Sequence, residues 1–212
     1  MTLQTRTDSL DPNPSYTDVD VQARQDPLCA RYRDVPEDAM IRDYARTTDD
    51  GELNAFHGRI DFGRSTGGAT VVNGQPVEPD DEEYSIEMPT GIHRAVGGDH
   101  DLPNPGNLLC AALATCLDST IRMIANRLGV DLASLEVEVS AEADVRGTLV
   151  VDRDVPVQFQ SMSCRIELEP VNDTNPRLLE KLISAAEYSC VNLQTLRSGV
   201  PVETTLNANA GS

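Results

Sequence analysis

The sequence predicts an α+β fold, and three stretches lead there. "LLCAALATCLDSTIRMIANRLGV" (Leu108 to Val130) is the most apolar segment and reads as one long helix. Two alternating strands follow. Leu135, Val137, Val139 and Ala141 alternate with Glu136, Glu138, Ser140 and Glu142, and Met162, Cys164, Ile166 and Leu168 with Ser163, Arg165, Glu167 and Glu169. "RLLEKLISAAEYSC" then sets Leu178, Leu179, Leu182, Ile183 and Ala186 on one helical face. Strands grouped before and after a long helix describe α+β rather than a dinucleotide-binding parallel sheet.

Residues 1 to about 22 carry Asp, Pro, Ser, Thr and Asn without periodicity and read as a flexible tail. "QDPLCARYRDVPEDAMIRDYART" (Gln25 to Thr47) reads as short helical pieces split by Pro27 and Pro36, with Leu28, Tyr32, Met40, Ile41 and Tyr44 available to dock. From Gly51 to about Met88 the texture is strand and turn. "NAFHGRIDFG" alternates in part, Asn73-Gly74 marks a hairpin, and "EYSIEM" follows the acidic turn "EPDDEE". "AVGGDHDLPNPGN" is a loop rich in helix breakers. Asn104 is a good N-cap for the long helix, Pro105 suits its first position and Gly129 its stop, giving about 24 residues or ~36 Å. The first half of that helix is apolar or small all round, so it should lie inside the protein or between subunits. Asn175-Pro176 caps the amphipathic helix, "VNLQTLRSG" is a short helix or turn, and "VPVET" is a final strand. The chain thus divides into an extension over 1–50, with short helices over 25–47, a domain over 51–206 and a tail over 207–212.

Asp and Glu total 35 against 17 Lys and Arg, and the formal charge is -18. Such a surface repels nucleic acid and anionic membrane. Asp118 and Arg122 interrupt the best candidate for a bilayer-crossing run, which needs about 18 or more apolar residues. The N-terminus has neither a basic region nor an apolar core, so no signal peptide is expected and the cytoplasm is the expected compartment. Five scattered cysteines (Cys29, Cys110, Cys116, Cys164, Cys190) are expected to be reduced thiols. His57, His93 and His100 lack metal-ligand spacing, and no metal or cofactor is expected.

Within one helix Cys110 and Cys116 lie about 240° apart in projection and ~9 Å apart along the axis, too far for a disulfide. Cys164, on the apolar phase of its strand, reads as a small buried hydrophobe. Cys29 and Cys110 read the same way. Cys190 ends one helix and opens the next segment, where unpaired backbone N–H groups are expected to point at its sulfur and lower its pKa. Cys116 sits mid-helix and needs a cation from elsewhere to ionise. Spacing alone singles out Cys116 and Cys190 without assigning either a role.

"GGDHDLPNPGNLLCAALATCLDSTIRMIANRLGV", "VEVSAEADVRG" and "AAEYSCVNLQTLRSGVPVE" together resemble the OsmC/Ohr family, the osmotically inducible and organic hydroperoxide resistance proteins, in its OsmC-like branch. The matching features are Gly97-Gly98, Pro105, Ala114-Thr115-Cys116, Arg146-Gly147 and Glu187-Tyr188-Ser189-Cys190, over roughly residues 84 to 203. The resemblance implies an intertwined homodimer, with antiparallel sheets wrapped around two long central helices and sites at the subunit interface. It also implies a cofactor-independent antioxidant peroxidase of the oxidative stress response. Cys116 would attack an organic hydroperoxide and become a sulfenic acid, Cys190 would resolve it to a disulfide, and a dithiol would reduce the product. Two departures stand out. The family carboxylate after the helix-leading proline, or one residue later, is replaced by Gly106 and Asn107, and Cys190 is followed by Val191 rather than proline. The family's activating arginine lies in the N-terminal strands, where Arg59, Arg64 and Arg94 are candidates. The alternative is a protein of the same fold that binds a small hydrophobic ligand at the dimer interface without efficient turnover.

Lys181 is the only lysine in this acidic chain, which suits either adaptation to high internal salt or a codon bias toward arginine. Under the first, molar KCl raises the melting temperature markedly by screening carboxylate repulsion. An unchanged melting temperature between low and molar salt selects the second.

Overall fold

The structure, a computed structural model, describes residues 19–48, 54–63, 66–77 and 86–206. Residues 1–18 of the expected tail over 1–22, the tail over 207–212, the acidic turn at 78–83 and Arg64 lie outside the described residues, while Asp20 to Gln22 cap and open a helix instead of continuing the tail. Contacts divide the chain into two units that are not contiguous in sequence. The smaller combines residues up to Arg42 with the segment from Ser65 to Glu82, and the larger combines Asp43–Arg64 with Glu83 onward.

In the smaller unit, α1 (Val21–Asp34) is capped by the Asp20 carboxylate, which accepts from the Ala23 N–H at 2.9 Å. Pro27 was expected to split this segment but lies within α1. Its missing N–H leaves the Ala23 carbonyl without a helical donor, and Ala23 is exposed, so water can supply one. A 3-10 turn over Pro36–Ala39 leads into β1 (Ile41–Arg42), so the helical pieces expected up to residue 47 give way to extended chain at Ile41. Further along the chain, β2 (Ala45–Thr48) and β3 (His57–Phe62) belong to the larger unit. In the smaller unit β4 (Thr66–Gly67) pairs with β1, and β5 (Thr70–Val72) turns into β6 (Gln75–Val77). The expected hairpin forms at Asn73-Gly74, where both residues have positive φ, 50° and 75°. α1 packs on this hairpin, and the Ala69 N–H donates to the Tyr32 hydroxyl at 3.1 Å.

In the larger unit β3 is central between β2 and β7 (Ile86–Gly91), antiparallel to both. A loop then enters α2 (Pro105–Arg127), 23 residues long. Asn104 caps it reciprocally. Its side chain accepts from the Asn107 N–H at 3.1 Å, and the Asn107 side chain accepts from the Asn104 N–H at 3.0 Å. At the far end Gly129 takes φ 67° and the Val130 N–H closes onto the Ala125 carbonyl. β8 (Leu132–Glu142) follows, then the single turn α3 (Val145–Thr148), β9 (Ser161–Pro170), α4 (Pro176–Ser189) and α5 (Val191–Ser198). β8 and β9 pair so that the apolar phases meet: Leu135 opposite Leu168, Val137 opposite Ile166, Val139 opposite Cys164.

α2 lies on β8, α4 and α5 and forms two core clusters along one seam. Ile121 and Ala125 pack with Val130, Leu182 and Ala186. Nearer the N-terminus of the helix, Leu113 and Leu117 pack with Cys190 and Leu193. Val137 borders both clusters. Each fully buried Leu or Ile contributes about 1.5–3 kcal/mol. By length and composition α2 is apolar enough to cross a membrane, which corrects the expectation that Asp118 and Arg122 break the run. Those two residues instead pair with each other one turn apart, at 2.8 Å.

The expected final strand is absent: residues 199–206 have no regular structure, and Val200, Val202 and Leu206 are exposed. Pro201 offers no backbone donor, and no described strand pairs with this segment. No residue of β2, β3 or β7 enters either core cluster. The first half of α2 leaves Leu109, Ala111 and Ala112 at the surface, so the apolar surround expected there is only partly covered within one chain.

The reciprocal cap at Asn104 predicts the effect of its loss. Asn104→Ala should destabilise the protein by about 1 kcal/mol, and Asn104→Asp should retain most of the stability. Urea unfolding checks this as a lower midpoint with an unchanged slope.

Candidate active site

α4 and α5 abut at a single residue. The Cys190 N–H makes the last bond of α4, to the Ala186 carbonyl at 2.9 Å, and its C=O accepts the first bond of α5, from the Gln194 N–H at 3.0 Å. This junction turns the Cys190 side chain into the Leu113–Leu117–Leu193 cluster, where the residue is 0% exposed. Cys116, half-buried on α2, packs against the same cluster. The two sulfurs meet: the Cys190 thiol donates to the Cys116 Sγ at 3.1 Å. Around them, the Thr120 hydroxyl donates to the Cys116 carbonyl at 2.7 Å and the Asn192 side-chain amide donates to the Ala112 carbonyl at 2.7 Å.

Burial pushes the Cys190 pKa up from 9.0 to about 11. The contact with Cys116 adds to the rise, while the Leu193 and Asn192 N–H groups pull the other way. The N–H donors expected at this helix start are therefore present, but desolvation of a sulfur with no exposed surface outweighs them. The expected lowering is reversed, and at neutral pH Cys190 is a thiol whose S–H faces the Cys116 sulfur.

The other cysteines stand apart from this pair. Cys29 is exposed on α1 in the smaller unit, not docked into a core. Cys164 keeps the apolar phase of β9 but is exposed, because it opens on a groove of about 670 Å³ instead of a filled core. Leu109, Leu113, Leu117, Leu193 and Arg197 line that groove with it. Cys110 is half-buried and lines a second hollow of about 760 Å³ with His93, His100, Gly106 and Phe159. Neither hollow is lined by Cys116, and a third, about 970 Å³ between the β8–β9 ribbon and α4, touches no cysteine.

Gly106 and Asn107 have local duties. A Cβ on Gly106 would sit 3.0 Å from the Asn104 Oδ1 and 3.2 Å from the Phe159 ring, so the aromatic ring occupies the space of a side chain. Asn107 completes the helix cap. Arg59 lies on β3 between Thr48 and Pro89, and Arg94 lies in a 3-10 turn and makes no hydrogen bond to either thiol. Arg146 forks onto Asp144 at 3.0 Å, and a Cβ on Gly147 would collide with the Val155 and Pro156 carbonyls, so this motif shapes the β8–β9 connection. Among the described residues no group of three or more His, Cys, Asp or Glu suits a metal ion. His57 Nε2 lies 3.2 Å from the Asp101 carboxylate, and His93 and His100 contact edge to face at 4.5 Å. Asn192 had no marker in the sequence beyond a polar amide two residues after Cys190.

The raised thiol gives a pH dependence. In the reduced protein the unfolded chain loses the Cys190 proton near pH 9.0, while the folded chain holds it to about 11. The stability from burying the neutral thiol is full below the lower value and is lost as pH rises through the upper one. Melting curves from pH 8 to 11 should therefore fall more steeply for the parent than for Cys190→Ala.

No curated protein sequence matches the chain significantly. An OsmC-like protein of unknown function from Vibrio cholerae superposes with a TM-score of 0.52 at 14% identity, covering 74% of this chain and 94% of that one. An OsmC-like protein from Mycoplasma pneumoniae gives 0.49 at 11% identity over 74% and 89% of the two chains. An organic hydroperoxide resistance protein OsmC from Legionella pneumophila gives 0.42 at 16% identity over 74% and 90%. The family model for OsmC-like proteins matches residues 98–205, from the glycine loop through both thiols to the segment after α5. With half of its sequence under that model, and with a helix-on-sheet fold of the same type, the chain belongs to the OsmC-like family.

Proposed function

We propose that this protein is a thiol-dependent peroxidase for organic hydroperoxides, with Cys116 as the attacking thiol and Cys190 as the resolving one. The observation that carries the reading is the 3.1 Å contact between a half-buried sulfur and a wholly buried one. Cys116 has access to solvent and sits against the thiol that would resolve it, while the cation that an attacking thiolate needs comes from elsewhere. Its sulfur takes the terminal oxygen of the peroxide, the O–O bond breaks, and the departing alkoxide is protonated to an alcohol. The Cys116 sulfenic acid then condenses with the Cys190 thiol, forming the S–S bond and releasing water. A dithiol reductant returns the pair to two thiols by exchange. The family resemblance assigns the activating cation to an arginine of the N-terminal strands, of which Arg59 and Arg94 are the described candidates. With Gly106 and Asn107 in place of a carboxylate, that arginine is held less firmly and reaction should be slower.

A second reading rests on the groove lined by Leu109, Leu113, Leu117 and Leu193. It suits a small hydrophobic ligand held without turnover.

Mass spectrometry after one equivalent of cumene hydroperoxide should show a bridge between residues 116 and 190, and Cys190→Ser should leave a trappable sulfenic acid at Cys116. Cumene hydroperoxide should be consumed faster than hydrogen peroxide because the surroundings of the thiol are apolar. Consumption at the parent rate by Cys116→Ser, or a bridge confined to Cys29 or Cys164, rejects the peroxidase reading in favour of the ligand-binding one. Since one chain leaves the first half of α2 partly uncovered and the β2–β3–β7 sheet outside both core clusters, a second copy should complete the fold. Sedimentation at micromolar concentration should give about twice 23.0 kDa.

A further inference from the structure

The position of the Cys190 sulfur depends on where α5 starts, because one residue separates α4 from α5. Val191 opens α5, carries an ordinary amide and is exposed, so it does not anchor that start. On its α4 side α5 is held by the Gln194 side chain, which donates to the Glu187 carbonyl at 2.8 Å, and by the Arg197–Glu187 pair at 3.0 Å. Neither bond reaches α2, the helix that carries Cys116. Asn192 does: its Nδ2 donates to the Ala112 carbonyl at 2.7 Å. A carbonyl can only accept, so the nitrogen of the amide must face it. Ala112 is one turn before Cys116, at the acceptor position for the Cys116 N–H in the helical ladder. One side-chain bond therefore ties the turn holding the first sulfur to the turn holding the second. The backbone N–H of the same residue points at the Cys190 sulfur.

We infer that Asn192 is a positioning residue for disulfide closure, holding the Cys190 sulfur at the Cys116 sulfur by clamping the first turn of α5 to the Ala112 carbonyl. The inference rests on the thiol pair and deepens the peroxidase reading at its second step. Bringing two sulfurs from 3.1 Å to a bond length of ~2.05 Å needs a shift of only about 1 Å when both turns are fixed. Released, the junction samples orientations in which the sulfenic acid has no partner, and closure slows by the fraction of time the sulfurs are apart. The reaction closed is that of the sulfenic acid with the Cys190 thiol, forming S–S and water.

Asn192→Ala removes the donor, and Asn192→Asp sets a carboxylate against the carbonyl. The time course of the 116–190 bridge is read by mass spectrometry in two ways, after cumene hydroperoxide and after diamide, which oxidises a thiol pair to a disulfide without any peroxide. Closure should slow about tenfold in Asn192→Ala and further in Asn192→Asp. After peroxide the sulfenic acid should persist correspondingly longer and accumulate as sulfinic acid. Because diamide closes the bridge without peroxide, this ranking holds or fails whatever the peroxide assay returns. Closure at the parent rate in both variants overturns the inference. Equal slowing in the two, matched by equal falls in melting temperature, marks a general structural role and overturns it as well.

Discussion

The packing of β8, α4 and α5 depends on the apolar seam of α2. Leu113, Leu117, Ile121 and Ala125 follow helical spacing along one side of a 23-residue rod, and β8, α4 and α5 are laid against it. The seam makes two clusters with separate uses. The one at Ile121 is ordinary core, filled by Leu182 and Ala186. The one at Leu113 and Leu117 has a sulfur as its filling, because Cys190 stands where a small aliphatic residue could sit.

That placement makes the two thiols chemically unequal. Cys190 has no exposed surface, and the cost of charging it there exceeds what two backbone N–H groups at the start of α5 return. Cys116 is one helix away, half-buried and at the receiving end of the Cys190 hydrogen bond. Side-chain chemistry is identical in the two residues, so the difference between them comes from burial and from the one contact they share.

The start of α2 shows how a family position is reused. Where related sequences carry a carboxylate, Gly106 lets the Phe159 ring close over the helix, and Asn107 serves the cap. Both are local arrangements of the helix start. The β2–β3–β7 sheet, which bears Arg59, stays outside both core clusters. That sheet carries its own apolar stripe, Ile60 opposite Met88 and Phe62 opposite Ile86, but none of these residues joins the clusters on α2.

Local pattern alone determined much of this protein. Asn104, Pro105 and Gly129 bound the long helix, the alternations at 135–141 and 162–168 give β8 and β9, and Asn73-Gly74 turns the β5–β6 hairpin, because caps, period-two burial and positive φ are properties of short segments. Pattern failed where the outcome lay with distant neighbours. Pro27 sits inside α1 because that helix is exposed enough to hydrate one carbonyl, and "VPVET" is not a strand because it finds no pairing partner among the described strands. Cys164 has the right phase for burial, yet the space above it is a groove. Only the tertiary structure decided that Cys116 and Cys190, 74 positions apart, meet at 3.1 Å, and that burial reverses the pKa shift expected for Cys190. Distance across a core and desolvation both depend on everything packed around an atom, which no single stretch of sequence contains.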